Sequence, residues 1–320
     1  MTKKLIKIIS IIILIFTISV FPSYGDDKNE IEEVVVEENE RKEIEASASS
    51  DSKPTINSRR YAIYDRFSGR CIYGKDENKE TAMASTTKIM SIIIVVEKCN
   101  LSNTVTITAK AAGTGGSRLG LHTDDKITVI DLLYGLMLRS GNDAAVALAI
   151  HTAGSMERFA DIMNQIAEEL GLTNTHFVTP HGLDNPDHYT TAYELAKITD
   201  YELKNETIAK IVKTKTATIN INGSPMQINN TNELLGNVDG VYGVKTGFTN
   251  NAGRCLVTSV KRGDMDLIIV VLGADTRKDR ARDSIKLIEY AYKRFYTVNV
   301  EEMIYKEFEL WKQINQNRIY

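Results

Sequence analysis

The chain has 320 residues, 42% of them hydrophobic and 25% charged, which suits a globular protein of one large domain or two modest ones. Five prolines and twenty glycines exclude a collagen-like or linker-dominated chain. The net charge of −3 hides a gradient: three lysines precede residue 26, residues 26–46 hold ten acids against three bases, and the remainder is left at +1, so no nucleic-acid partner is expected.

Residues 1–25 read as an export signal. Lys3, Lys4 and Lys7 form a basic start, Ile8 to Phe21 an apolar stretch, and Ser23-Tyr24-Gly25 a small-x-small cleavage pattern. The apolar stretch is shorter than the roughly 20 residues a spanning helix needs, so cleavage and an extracytoplasmic protein are expected. Residues 26–58 read as a solvated, self-repelling acidic and serine-rich spacer.

Beyond it, Tyr61–Tyr64 and Cys71–Tyr73 flank a turn with Gly69, predicting a β-hairpin. Ser85 to Lys98 is apolar nearly all round, as a helix buried at a domain centre is. Thr128-x-x-Asp131 and Thr191-x-x-Glu194 predict helix starts, and Phe159 to Leu170 runs at helical spacing to a glycine stop at Gly171. Alternation at Lys215–Ile221 predicts a strand. Cys255–Val257 and Leu267–Leu272 form a hairpin around Lys261–Asp264, and Ala281 to Phe295 an amphipathic helix. That order implies an α+β fold: an antiparallel sheet completed from both ends of the chain, with a helical lobe inserted between. Residues 299–320 should add a short helix whose face of Val300, Ile304, Phe308, Trp311 and Ile314 packs on the body rather than meeting a membrane surface.

Cys71, Cys99 and Cys255 lack any paired spacing and read as small buried residues; the five histidines lack metal-ligand spacing. No metal or cofactor is expected.

Three short motifs carry chemistry: Ser85-Thr86-Thr87-Lys88, Ser140-Gly141-Asn142 and Lys245-Thr246-Gly247. Positions three apart share a helix face, so the Lys88 amine can reach the Ser85 hydroxyl. Ser140 and Asn142 fall in a turn between two helical patterns. Lys245–Gly247 precedes a hairpin and suits an edge strand along which an extended substrate can lie, Gly247 offering no side chain. The same S-x-x-K spacing at Ser50–Lys53 has no such context. The ordered set is similar to the S-x-x-K, S-D-N, K-T-G signature of penicillin-binding proteins and class A β-lactamases, with Ser140-Gly141-Asn142 in place of the S-D-N of those lactamases.

With ASTTKIM around Ser85, LLYGLMLRSGNDAAVALA around Ser140, FVTPHGLD at 177–184 and DGVYGVKTGFTNNAGRCLV around Lys245, the chain resembles the low-molecular-mass penicillin-binding proteins that are serine-type D-alanyl-D-alanine carboxypeptidases, peptidase family S11, over roughly residues 59–298. The resemblance implies a β-lactamase/DD-peptidase-like fold, with Ser85 as nucleophile, Lys88 as its neutral base and Ser140 as proton relay. It implies substrate binding by Asn142, Lys245, Thr246, Gly247 and Phe248, with the Ser85 and Phe248 backbone N–H groups as oxyanion donors. Peptidoglycan stem peptides would be substrates and β-lactams covalent inhibitors. Acylation without turnover and DD-endopeptidase activity share every motif and stay open. The usual C-terminal β-rich domain and basic membrane anchor of the family are not recognisable here, which leaves peripheral membrane contact open too.

Overall fold

Alternation of side chains decides the central layer. In the computed structural model, which describes residues 40, 42–44, 53–296 and 300–316, the strands Arg60–Asp65 (β1) and Arg70–Lys75 (β2) form the N-terminal hairpin. Lys245–Thr249 (β7), Gly253–Arg262 (β8) and Met265–Ala274 (β9) come from the other end of the chain. Together they make an antiparallel sheet in the order β2-β1-β9-β8-β7, with β7 at its edge. Successive residues point to opposite faces, so Ala62, Tyr64, Val257, Ile268 and Val270 enter one core while Tyr61, Ile63, Leu256, Ile269 and Val271 enter another. The second core is closed by the helix Arg277–Arg294 (α8) through Ala281, Ile285, Leu287, Ile288 and Ala291.

The first core is the helical lobe. At its centre lies Lys88–Lys98 (α1), with Ile89, Met90 and Ile92 to Val95 all buried. Around it stand Ala109–Ala112 (α2), Val129–Leu138 (α3), Asn142–Ala153 (α4), Met156–Glu169 (α5), Ala192–Glu202 (α6) and Glu206–Val212 (α7). The sequence-predicted caps are present: the Thr128 and Thr191 side chains accept the Asp131 and Glu194 N–H groups.

A second sheet was not anticipated. Thr104–Thr106 (β3), Lys126–Thr128 (β4), Thr216–Ile221 (β5) and Ser224–Asn229 (β6) form it in sequence order, so the alternating strand expected at 215–221 belongs to a sheet separate from the main one. Three-residue strands such as β3 and β4 carry too little periodicity to be read in advance.

Two expectations about the chain ends need correction. The spacer is not solvated throughout to residue 58. Glu40 pairs with Arg282 and Lys278, Ile44 is buried in the second core, and the Asn57 and Ser58 N–H groups donate to Asp283 at 3.0 and 2.7 Å. The cations of α8 give the acidic segment a docking partner. The terminal helix Val300–Gln316 (α9) forms, but the described residues of its apolar face, Ile304, Phe308 and Trp311, are not buried against the body: all are at least half exposed. Phe308 and Trp311 instead stack on each other at 6.1 Å. Among the cysteines, Cys255 is buried while Cys71 and Cys99 are partly so, and all three are free thiols. The export signal and most of the spacer lie outside the described residues, and among those described no helix is long and apolar enough to cross a membrane.

Glu202, in α6, is fully buried, and neither carboxyl oxygen has a hydrogen-bond partner among the described residues. Burial raises its carboxyl well above the usual 4.5. The folded state therefore keeps a proton that the unfolded chain gives up, so this site costs stability as pH rises above about 4.5, by up to about 1.4 kcal/mol per pH unit. Glu202→Gln removes that dependence. Its melting temperature should exceed the wild type's by several degrees more at pH 8 than at pH 5, as measured by calorimetry.

Candidate active site

Ser85 sits in a 3₁₀ turn, Ala84–Thr87, that runs straight into α1, so Lys88 follows one turn later on the same face. The Lys88 amine is fully buried and touches three oxygens: Ser85 Oγ and Asn142 Oδ1 at 2.7 Å each, and the His181 carbonyl at 3.0 Å. The orientation of the Asn142 amide is set by its other end, where Nδ2 donates to the Gly115 carbonyl at 2.8 Å. Asn142 Oδ1 and the His181 carbonyl can only accept, so they take two N–H bonds. An uncharged amine has just two N–H bonds, and its lone pair is then left for the Ser85 hydroxyl.

The electrostatics favour that uncharged state. Burial, and then the charge of Lys245, hold Lys88 well below lysine's ordinary 10.5, while Asp143 pulls in the opposite direction. Lys245 is itself buried, donates to the Thr246 carbonyl at 2.9 Å, and is pushed down to about 7 by burial with a contribution from Arg280.

Gly247 of β7 lies against the nucleophile. A Cβ added there would come within 3.1 Å of both Ala84 Cβ and the Ser85 nitrogen, so a side chain would press the edge strand away from the nucleophile turn by a few tenths of an ångström. Thr246 shares a 2.7 Å hydrogen bond with Thr231, and Phe248 is 46% exposed at the rim. Ser140 occupies the turn between α3 and α4 with φ of +59°, and its side chain is buried. No hydrogen bond joins it to Ser85 or Lys88 among the described residues. The structure thus brings Ser85, Lys88, Asn142 and Gly247 into direct proximity, with Lys245 close enough to perturb Lys88.

Several contributors were not singled out from the sequence. His181 supplies a backbone carbonyl, a role that no side-chain motif signals. His188 fastens the loop that carries it: Nδ1 accepts from the Val178 N–H at 2.9 Å, so Nε2 carries the proton and donates to Thr87 Oγ1 at 2.7 Å. Ser91 adds a 2.7 Å bond to the Pro180 carbonyl. Gly182, at φ +86°, passes so close that a Cβ would fall 1.8 Å from the Ala84 carbonyl oxygen. Asp143, fully buried, accepts the Leu119, Gly120 and Leu121 N–H groups at 2.8–3.0 Å and its neighbour Ala144's at 2.9 Å. It fixes the segment that follows Gly115 and hence the partner of Asn142. The signal for Asp143 was its place directly after Asn142, whereas a backbone carbonyl such as that of His181 has none.

Comparison with known proteins gives concordant matches. Residues 47–276 match the peptidase family S11, described as D-alanyl-D-alanine carboxypeptidase. The chain is 37% identical over 262 residues to the D-alanyl-D-alanine carboxypeptidase DacF of Bacillus subtilis, covering 79% of this chain and 67% of that protein. It is 37% identical over 268 residues to DacC of Escherichia coli, covering 79% and 66%. The chain thus spans about two thirds of the length of these relatives. The crystal structure of the Streptomyces K15 DD-transpeptidase superposes with a TM-score of 0.72 at 36% identity, covering 76% of this chain and 99% of that one.

Replacing Asp143 strands four backbone N–H groups beside the site. Asp143→Ala should cost about 3 kcal/mol or more in chemical denaturation. Asp143→Asn, which keeps one acceptor oxygen, should fall between it and the wild type.

Proposed function

The chain belongs to the D-alanyl-D-alanine carboxypeptidase family of serine peptidases, and from that premise we propose that Ser85 is the nucleophile that removes the terminal D-alanine from peptidoglycan stem peptides. The observation that carries this assignment is the 2.7 Å contact between the Ser85 hydroxyl and an amine whose two other neighbours are both acceptors. In the acylation step the Ser85 proton passes to Lys88 while Oγ bonds to the carbonyl carbon of the penultimate D-alanine. The Ser85 and Phe248 N–H groups are assigned as donors to the oxyanion, a role worth about 3 kcal/mol per donor in related chemistry. The C–N bond then breaks, Ser140 relays a proton to the departing amine, and water hydrolyses the ester and restores the serine.

Lys245 and Thr246 are assigned to the substrate's terminal carboxylate, for which an ammonium beside a hydroxyl is a suitable partner. Asn142 orients the scissile amide from the opposite wall, and Gly247 lets the edge strand β7, along which the peptide extends, lie close against the Ser85 turn. β-Lactams acylate the same hydroxyl. Peptidoglycan lies outside the cytoplasmic membrane, and on this reading the segment 1–25 directs export to it.

Wild-type protein should release D-alanine from a stem pentapeptide and gain the mass of one penicillin on intact mass analysis. Ser85→Ala should do neither. Lys88→Arg retains a permanent charge in place of a base, and its acylation rate by penicillin should fall by about 10²–10⁴-fold in stopped-flow measurements. In the wild type kcat/KM should decline as pH falls, because Lys88 takes up a proton, with the decline setting in well below lysine's ordinary 10.5.

A further inference from the structure

Phe248 exposes 46% of its surface beside Gly247 on β7, yet its ring is held in place. Arg254, its cross-strand partner on β8, lays its guanidinium carbon 3.7 Å from the ring centroid. The direction of the ring follows from the strand. Position 247 faces Ala84 and Ser85, so Phe248 turns to the opposite flank, which it shares with Thr246 about 7 Å along β7. The turn that follows is fastened as well. Asp184 accepts Thr249 Oγ1 at 2.6 Å, and the Ala252 N–H donates to that same hydroxyl at 3.1 Å.

We propose that the stacked Phe248–Arg254 pair is the wall of the leaving-residue subsite and restricts the released residue to one with a short side chain. This rests on the carboxypeptidase reading above. With the terminal carboxylate on Lys245 and Thr246 and the scissile carbonyl at Ser85, the released residue lies along the flank of β7, where its side chain meets the ring. A methyl group fits beside a fixed ring. A longer chain must lift the phenyl off the guanidinium and expose both to competing contacts. The same wall discriminates against cross-linked peptides, whose released residue carries a second stem on its side chain. The three short motifs shared by carboxypeptidases and endopeptidases leave that choice open; the Phe248 and Arg254 side chains lie beside Lys245–Gly247 and not within it.

The test compares kcat/KM for two pentapeptides that differ only in the last residue, D-alanine or D-leucine, with a cross-linked muropeptide dimer as a third substrate. The variants are Phe248→Ala and Arg254→Leu, and penicillin labelling counts the folded, acylatable sites in each. Wild type should prefer D-alanine over D-leucine by about 100-fold or more and leave the dimer uncleaved. Phe248→Ala should shrink the preference to less than about 10-fold, with Arg254→Leu between. Wild-type rates within about threefold of each other, or a preference undiminished in Phe248→Ala, would overturn the wall while leaving the carboxypeptidase reading intact. A wild type that labels with penicillin but releases no residue from any peptide would overturn both. A variant that fails to label is replaced by Phe248→Leu, which keeps a side chain of similar depth without the ring for Arg254 to stack on, and the same narrowing is required of it.

Discussion

An amine that must stay uncharged is the constraint around which this molecule is arranged. Lysine in water holds its proton far above neutrality, and a protonated lysine cannot accept one from serine. Complete burial of Lys88 supplies the main bias against the charge, and a second buried lysine supplies repulsion. Burial alone would leave the amine's hydrogen bonds unmet, which is costly in a low-dielectric interior. Two acceptor-only oxygens, one from a side chain and one from the backbone, meet that need and direct the lone pair toward the nucleophile.

Distant stretches of chain have to converge for this, and they are fastened to one another. The 3₁₀ turn is anchored by entering a helix that is buried on every side. The turn at 140–142 is held where two helices meet, and the loop through His181 is tied to α1 by His188 and Ser91. Asp143 makes the balance visible. An acid this close to Lys88 works against the neutral amine, yet its carboxylate is occupied by four backbone N–H groups. Those donors spread its charge, so the acid can organise the wall of the cleft without reclaiming the proton for lysine.

What could be read from the amino-acid order follows from how local each signal is. The main sheet, the central helix and the three motifs were legible because period-2 alternation, an all-apolar run and fixed spacings are properties of short windows. The second sheet was not, since β3 and β4 are three residues long and β4 joins them to β5, a strand far along the chain. His181 was invisible for a different reason: it acts through a carbonyl that every residue possesses. The docked spacer failed because an acidic run looks solvated until its partners, the cations of α8, are known to face it. For α9 the helical period was right, but periodicity shows only that one face is apolar, and what covers that face is a tertiary question.

The two buried lysines act differently because they differ in partners. Lys88 is surrounded by acceptors that suit a neutral amine, whereas Lys245 is pushed down to about 7 by burial, with a contribution from Arg280. Arg280 repels it, but that guanidinium is held in a close fork by Glu233, which limits how far the repulsion reaches. On the proposed reading, a carboxylate arriving at Lys245 favours the ammonium there, and the added positive charge lowers the proton affinity of Lys88 further. Binding the substrate's end thereby strengthens the bias that makes the base competent. The cost of keeping two lysines in one dry cleft is met with the coupling between recognition and chemistry that a single lysine could not provide.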